Sequence, residues 1–246
     1  SSTRTFSGTP SKGDANVITI EVTASDGEVT VTDDFVLSVN FNFDETDCGC
    51  DIVFDASVER SPILNGNTTT VNPGDRICVK AGYYHFIKIE NVHGTVDQPI
   101  EVINCGGLVR IDANVSSDHG FIITKSTHLK VTRTGDSDFE RGFEIFGNPI
   151  SQTKTGLVIS YLVSDIHAEY FDIHDVELGL HFINVPSCDE ASWQGNWTME
   201  NCEVNNFYVH DVKNEGFYIG SSKYGSGHDF DCSGTPTNAQ PPLIRH

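Results

Sequence analysis

Short apolar runs separated by glycine, asparagine, aspartate or serine recur from Asp75 to Gly220. Phe121 and Phe143, which open two of these runs, lie 22 residues apart, about the length of one β-coil. The best internal match pairs Phe171–Val176 with Phe207–Val212, at an offset of 36 residues, which is one coil plus an insertion. Repeated units that cannot bury a core alone are the mark of a solenoid. The pattern predicts an all-β chain of stacked parallel coils, with a β-sandwich as the structural rival.

The N-terminal part has a different pattern, in which apolar and polar residues alternate one by one. Val17–Ala24 and Val29–Val39 alternate on either side of an Asp26-Gly27 turn, which predicts a β-hairpin. Two or three strands cannot bury a sandwich core. We therefore expect the chain to begin inside a larger module. Asp33, like Asp26, is interpreted as a solvated turn carboxylate in preference to a calcium ligand.

Two stretches resemble known families. Ala24–Gly27 and Asp34–Val39 resemble the last turn and strand of cadherin-like and Ig-like modules of bacterial surface proteins. Pro73–Tyr84, with the pattern P-G-D-x-I-x-V-K-x-G-x-Y, and Gly94–Val102, with G-T-x-x-x-P-I-x-V, resemble the opening coils of the pectate-lyase superfamily, in particular of lyases of the chondroitinase B and alginate lyase type. The second resemblance implies a right-handed parallel β-helix that acts on or binds an extracellular polysaccharide.

These observations divide the chain into three parts. Residues 1–43 are predicted to be the C-terminal strands of a cadherin-like or Ig-like module, and residues 44–70 a linker and N-terminal cap. Residues 71–246 are predicted to form the parallel β-helix, which we expect to be incomplete at its C-terminus because no capping signal follows the last apolar run.

The charge balance restricts the classes of partner. The chain has 35 acidic and 15 basic side chains and a formal net charge of −20. This charge argues against binding to nucleic acid or to an anionic membrane surface, and it opposes a polyanionic substrate unless a bound cation or a local basic groove intervenes. Since no run of 18 apolar residues occurs, no membrane span is expected. We expect a secreted or cell-surface protein, with Ca²⁺ as a compatible cofactor.

The seven cysteines have separate interpretations. Cys188 and Cys232 lie in turn-rich stretches and are predicted to form a disulfide in an oxidising compartment. Cys78 and Cys105 lie in apolar strands, where the favoured interpretation is a small buried hydrophobic residue. Cys48-Gly49-Cys50 is too short for a zinc knuckle. The odd count leaves at least one cysteine unpaired or bonded to another chain.

The polar residues that could carry chemistry concentrate at the end of the repeat, where His181 also lies. Stacking of the matched segments is expected to bring two histidine–aspartate pairs together, as a metal site, as a base with its orienting group, or as a solvated corner with no chemistry. Tryptophans and tyrosines nearby could form a sugar-stacking platform or cover the edge of a coil. The candidates are His174, His210, Lys213 and Tyr218 for catalysis, Asp175, Asp211 and Glu215 for metal binding, and Trp193, Trp197, Tyr208 and Tyr224 for substrate binding.

Two functions follow from these features. The first is a secreted carbohydrate-active protein, similar to a polysaccharide lyase. The second is a non-catalytic surface adhesin or a structural subunit, which would self-associate through the ends of the β-helix. Past the opening coils no lyase motif is recognisable, and the Asp-Asp plus Gly-His-Gly set of polygalacturonases is not found. Fold analogy alone is a weak argument for function.

Overall fold

The chain is built almost entirely of β-strands. The computed structural model describes residues 17–38, 48–115, 119–133, 140–151 and 154–245, so that the rest of the predicted N-terminal module and residues 44–47 of the linker lie outside it. No helix among these residues is long and apolar enough to cross a membrane. A 3-10 helix covers Glu190–Ser192. The strands are β1 Val17–Ser25, β2 Thr30–Ser38, β3 Ile52–Phe54, β4 Ile63–Asn65, β5 Arg76–Tyr84, β6 Ile87–Glu90, β7 Ile100–Asp112, β8 Phe121–Thr124, β9 Thr127–Thr132, β10 Phe143–Phe146, β11 Thr155–Ser160, β12 Ser164–Glu169, β13 Phe171–His174, β14 Leu178–Ile183, β15 Thr198–Glu200, β16 Glu203–Asn205, β17 Tyr208–His210, β18 Glu215–Ile219, β19 His228–Cys232, β20 Thr235–Ala239 and β21 Leu243–Arg245.

The predicted N-terminal hairpin is confirmed. Strands β1 and β2 pair antiparallel, with Val17 opposite Ser38. The Asp26 carboxylate closes the turn by accepting hydrogen bonds from the backbone N–H groups of Glu28 at 3.0 Å and Val29 at 2.8 Å. These two bonds favour the ionised form and lower the pKa of Asp26. The carboxylate therefore stabilises the turn, as the sequence predicted.

Two long parallel sheets make up most of the remaining chain. One contains nine strands in two arms. The first arm contains β3, β9, β12 and β16, and the second arm contains β10, β13 and β17. Strands β5 and β7 belong to both, because they continue from the first arm into the second through bends at Gly82 and at Gly106–Gly107. The other contains six strands, β4, β6, β8, β11, β14 and β18. From β5 onward the chain visits the first arm, the second arm and the six-stranded sheet in turn, and we call each such passage a coil. This cyclic order is compatible with a solenoid. The parallel pairing already includes β3 and β4, within residues 44–70.

Parallel pairing in register stacks similar side chains inside the coils. Phe143, Phe171 and Phe207 occupy the same position in three successive coils, with ring centroids 5.0 Å and 5.1 Å apart. Leu157 and Leu180, opposite each other in the six-stranded sheet, are both 0% exposed. The strands alternate between buried and partly exposed residues, as in β13 and β12. The core is therefore a set of columns, each containing one residue from each coil.

Residues in the left-handed backbone conformation produce the corners between strands. Tyr170 and Asn206 have φ values of 62° and 54° at the corner before β13 and β17, and Asp175 and Asp211 have 56° and 50° at the corner after them. This conformation costs an L-residue about 1–2 kcal/mol, and aspartate and asparagine tolerate it best. Its repetition at equivalent positions shows that each corner has the same geometry in successive coils.

Three disulfides are present, and two of them correct the expectation for Cys78 and Cys105. Cys188 and Cys232 are bonded to each other, whereas Cys78 and Cys105 are bonded to Cys50 and Cys48. The prediction that Cys78 and Cys105 are simple buried hydrophobic residues is wrong. They are 0% and 1% exposed, but they lie in a small apolar cluster with Cys48 and Cys50 that is separate from the main core. The alternation of residues along a strand could not reveal that residues 48–50 cover the face of the strands on which Cys78 and Cys105 lie. Cys202 is free, and burial raises its pKa to about 11.

A column of glycines in the six-stranded sheet sets a limit on the spacing between coils. Gly156 lies opposite Gly120 and Gly179, and Gly216 follows in the next coil. A Cβ added at Gly156 would lie 2.4 Å from an Ile173 methyl carbon and 2.8 Å from the carbonyl oxygen of Gly179, whereas at Gly216 the nearest atom is a Val209 methyl carbon at 3.8 Å. In this column each glycine therefore lies close to the backbone of the glycine in the next coil, wherever a further coil follows.

We expect Gly156→Ala to destabilise the protein by about 1–3 kcal/mol, because the crowded backbone must move apart. The matched variant Gly216→Ala should be close to neutral, since its new methyl group has room. Urea denaturation followed by circular dichroism measures both. Equal stability losses in the two variants would contradict this account of the column.

Candidate functional site

His174 and His210 lie side by side on the outer face of the second arm. They are register partners in β13 and β17, and their rings stack with centroids 4.9 Å apart and planes inclined by 14°. The matched segments of the sequence are therefore neighbouring coils, as the repeat predicted. Their contacts determine what chemistry these histidines can perform.

Both ring nitrogens of each histidine face carboxylates. His174 Nδ1 lies 2.7 Å from Asp175 Oδ2, and its Nε2 lies 3.3 Å from Glu144 Oε1. His210 has the same arrangement, with Asp211 at 2.7 Å and Asp172 at 3.2 Å. Each imidazole therefore links its own corner to the preceding coil.

These contacts make His174 a cation. The hydrogen bond to Glu144 raises the pKa of His174 most; burial opposes this, but the bond to Asp175 adds to it, and the pKa reaches about 9. Burial alone would raise the pKa of Glu144, but hydrogen bonds from His174 and Arg110 lower it instead. At neutral pH the protonated imidazole has no free lone pair, so His174 is poorly suited to act as a general base.

The rings on this face stack on one another. Phe146 lies under His174 with centroids 6.0 Å apart and an interplanar angle of 19°, and Tyr208 lies 4.4 Å from His210. The guanidinium of Arg141 covers Tyr208, with its carbon 5.1 Å from the ring centroid. These contacts cover part of the ring faces along the row, and Tyr208 is still 50% exposed. We interpret the row as a structural connection between coils, so Tyr208, predicted as a substrate-binding residue, is part of this stack.

A second outer cluster lies on the neighbouring six-stranded sheet. His181 of β14 and Tyr218 of β18 are register partners, with ring centroids 5.4 Å apart in an edge-to-face arrangement. Burial lowers the pKa of His181, the neighbouring His119 lowers it further, and Glu215 acts in the opposite direction. The backbone N–H of Ser222 donates a hydrogen bond to the Tyr218 hydroxyl at 3.1 Å. The cluster therefore combines a neutral imidazole with a phenol.

The other catalytic and metal candidates lie near the row on the second arm or at the start of β18. Lys213 is exposed on the turn before β18, where its backbone N–H bonds to the Val176 carbonyl at 3.0 Å. Glu215 opens β18 and is also exposed. Within the described residues, the only three potential ligands whose donor atoms all lie within 4.8 Å of one another are Cys48, Cys50 and Cys105, whose sulfurs are in disulfides. The predicted ligands Asp175, Asp211 and Glu215 do not form such a group, and Ca²⁺ as a cofactor stays a prediction.

The two tryptophans of the predicted aromatic platform use their indole N–H groups in hydrogen bonds, and the platform itself stays a prediction. Trp193 Nε1 donates to the Ser187 carbonyl at 2.7 Å within the same segment, and Trp197 Nε1 donates to the Val163 carbonyl at 3.1 Å, so Trp197 attaches this segment to an earlier coil. Tyr224 is 48% exposed. It lines an open pocket of about 340 Å³ together with Asn184, which is 40 residues away in the sequence. Nothing in the local sequence pattern could have selected Asn184.

No family model, no curated protein and no solved structure matches this chain. The resemblance of residues 73–102 to pectate-lyase-type coils rests on their sequence. What the chain does has to follow from the chemistry of its own side chains, because one fold can carry many functions.

The ion pairs of His174 predict a pH-dependent stability. A histidine in the unfolded chain has a pKa of about 6.5. Because the folded-state pKa is higher, at about 9, the stabilisation is fully present below pH 6.5 and is lost as the pH rises through 9. We expect a loss on the order of 2–3 kcal/mol over this range, measured by urea denaturation at a series of pH values.

His174→Gln should remove most of this pH dependence. The matched control is His93→Gln, since burial lowers the pKa of His93 and keeps that ring neutral over the same range. The control should retain the slope of the wild type. A His174→Gln variant with an unchanged slope would show that another group titrates.

Proposed function

We propose that this chain is a right-handed parallel β-helix of the pectate-lyase type that binds an extracellular polysaccharide and cleaves it by elimination at His181 and Tyr218. The observation that carries the proposal is the pairing of a neutral imidazole with a phenol on the outer face of the six-stranded sheet. A base and an acid of this kind are what the removal and return of a proton require. Three disulfides support a secreted or cell-surface location.

The proposed reaction is an elimination across a uronate unit. His181 takes the proton from the carbon next to the carboxylate, that C–H pair of electrons forms a C=C bond, and the C–O bond to the leaving sugar breaks. Tyr218 donates its hydroxyl proton to the leaving oxygen. Atoms and electrons balance without an oxidant or reductant, and the products are an unsaturated sugar and a free hydroxyl group.

Basic residues in stacked turns support a uronate as substrate in spite of the acidic net charge. The backbone of Glu177 bonds to the Lys154 carbonyl at 2.8 Å, and that of Lys213 bonds to the Val176 carbonyl at 3.0 Å, so these turns lie on successive coils. Both lysines precede strands of the sheet that carries His181. They supply positive charge at the start of this sheet, and such charge stabilises a substrate carboxylate.

The test is a panel of uronate and neutral polysaccharides, followed by the ultraviolet absorbance of the unsaturated product. His181→Ala and Tyr218→Phe should each lower the rate by at least about a hundredfold, because each removes a proton-transfer group. His174→Gln should keep the wild-type rate, since that residue belongs to the structural row. Thermal denaturation establishes that each variant is folded.

Absence of product from every polysaccharide would rule out the elimination, and retention on an immobilised glycan would then leave binding alone. A His174→Gln variant that loses activity while His181→Ala retains it would place the chemistry on the second arm. Repeating the assay with a chelator tests whether Ca²⁺ takes part.

A non-catalytic role in an extracellular assembly is the second candidate. It is favoured by the last coil, where Phe217 is 48% exposed, whereas its register partner Leu180 in the coil below is 0% exposed. Within the described part of the chain, no strand pairs with the second edge of β16, β17 or β18. An open apolar layer with free strand edges is suited to strand addition.

If this layer mediates self-association, sedimentation should show oligomers that grow with protein concentration. Phe217→Asp should then abolish association, because a charge cannot be buried in the contact without a partner. Ile150→Asp is the matched control, at a residue 94% exposed and distant in sequence. A wild-type chain that stays monomeric at all concentrations would exclude this role.

A further inference from the structure

The pocket beside Tyr224 has a mixed lining, in which apolar side chains lie beside Ser221 and a buried amide. It lies at the ends of β14 and β18, has a volume of about 340 Å³, and is lined by Asn184, Ile219, Tyr224, Pro242, Leu243 and Ile244 among others. Ile219 is 57% exposed and Ile244 is 38% exposed, so apolar surface faces solvent here. Among the residues that the structure describes, no lysine, arginine, aspartate or glutamate lines it.

Asn184 has an unused hydrogen-bond donor. Its side chain is 1% exposed, and its Oδ1 accepts a long hydrogen bond from the backbone N–H of Leu162 at 3.4 Å. Its Nδ2 makes no hydrogen bond to any residue that the structure describes. Buried donors without a partner are rare in proteins, because their desolvation is not compensated. Because Asn184 is among the residues that line the pocket, an acceptor bound there is the candidate partner for this amide.

The chemistry of the walls narrows the choice of ligand. A carboxylate or sulfate would enter without a cation to pair with, which is unfavourable. A plain hydrocarbon would leave the amide of Asn184 unpaired, and a hydroxyl group alone would leave Ile219 and Ile244 in contact with water. A small apolar group that carries a carbonyl acceptor meets both requirements, and the half-exposed ring of Tyr224 offers a surface for a sugar ring.

We propose that this pocket binds the acetyl group of an acetylated sugar, with its carbonyl oxygen accepting from Asn184 Nδ2, its methyl group against the apolar wall and the sugar ring against Tyr224. The inference goes beyond the proposed elimination, because this pocket takes an uncharged substituent and not the uronate carboxylate. The two sites are neighbours along the same strands, since Asn184 follows His181 by three residues and Ile219 follows Tyr218 directly. An acetylated unit held here would place the next unit of a chain near the elimination site.

The experiment is a titration of the purified chain with four monosaccharides, followed by isothermal calorimetry or by ligand-observed NMR. N-acetylglucosamine and 6-O-acetylglucose carry the acetyl group on nitrogen and on oxygen, and glucosamine and glucose are their unacetylated counterparts. At least one acetylated sugar should bind at least about tenfold more tightly than its counterpart, and the comparison between the two identifies the linkage.

Two variants test the assigned residues. Tyr224→Ala, at a half-exposed position, should weaken binding of the acetylated sugar at least about tenfold without affecting the fold. Asn184→Asp keeps the acceptor for Leu162 and removes the donor, so it should also weaken binding, with thermal denaturation as the check on folding. Ile150→Ala, at the 94% exposed residue outside the pocket, should bind as the wild type does.

Equal affinity for acetylated and unacetylated sugars, no binding of either, or wild-type affinity in Tyr224→Ala would overturn the inference. His181→Ala keeps the pocket intact and should bind the acetylated sugar normally. Binding in a chain that releases no unsaturated product would therefore reject the elimination while supporting the pocket. Release of unsaturated product by a chain that binds acetylated and unacetylated sugars equally would support the elimination and reject the pocket.

Discussion

In-register parallel pairing between successive coils is the constraint on which the rest of this structure depends. It places each residue directly above its equivalent in the preceding coil, so the core consists of columns such as Phe143, Phe171 and Phe207. The same pairing stacks Gly120, Gly156 and Gly179, where carbonyl oxygens come too close to admit a side chain. Since no column can change its register alone, the identity of one residue restricts its neighbours above and below.

The side chains on the outer faces are stacked by the same pairing, but the histidines of the two faces differ in their protonation. On the second arm, stacking brings His174 between carboxylates of its own coil and of the previous one, which raises its pKa to about 9 and makes it a cation that holds coils together. On the six-stranded sheet, His181 meets a phenol ring and burial lowers its pKa, which leaves a neutral base. Two histidines seven residues apart in the same coil thus have opposite protonation states, and the neighbouring coils decide which is which.

The repeat in the sequence was informative because the constraint acts on every coil. The match between Phe171–Val176 and Phe207–Val212 predicted that His174 and His210 would be neighbours, and they are register partners. The hairpin turn at Asp26 was likewise readable, because its hydrogen bonds join residues two and three positions apart. The prediction for Cys78 and Cys105 was wrong because their partners come from a segment that no local pattern connects to those strands. The hydrogen bond of Trp197 to the Val163 carbonyl was unpredictable for a related reason, since its partner lies 34 residues earlier in the sequence.

The sequence by itself determined the apolar strands of the repeat, the turn at Asp26 and the order in which coils follow one another, since these depend on alternation, glycine and turn residues within a few positions. It also determined the acidic charge and the concentration of polar groups near the end of the repeat. Only the tertiary structure decided which cysteines pair, which histidine is charged, and that Asn184 and Tyr224 share a pocket. Those outcomes depend on burial and on contacts between residues 22 to 57 positions apart, and such distances are set by the stacking of whole coils, not by the composition of any one strand.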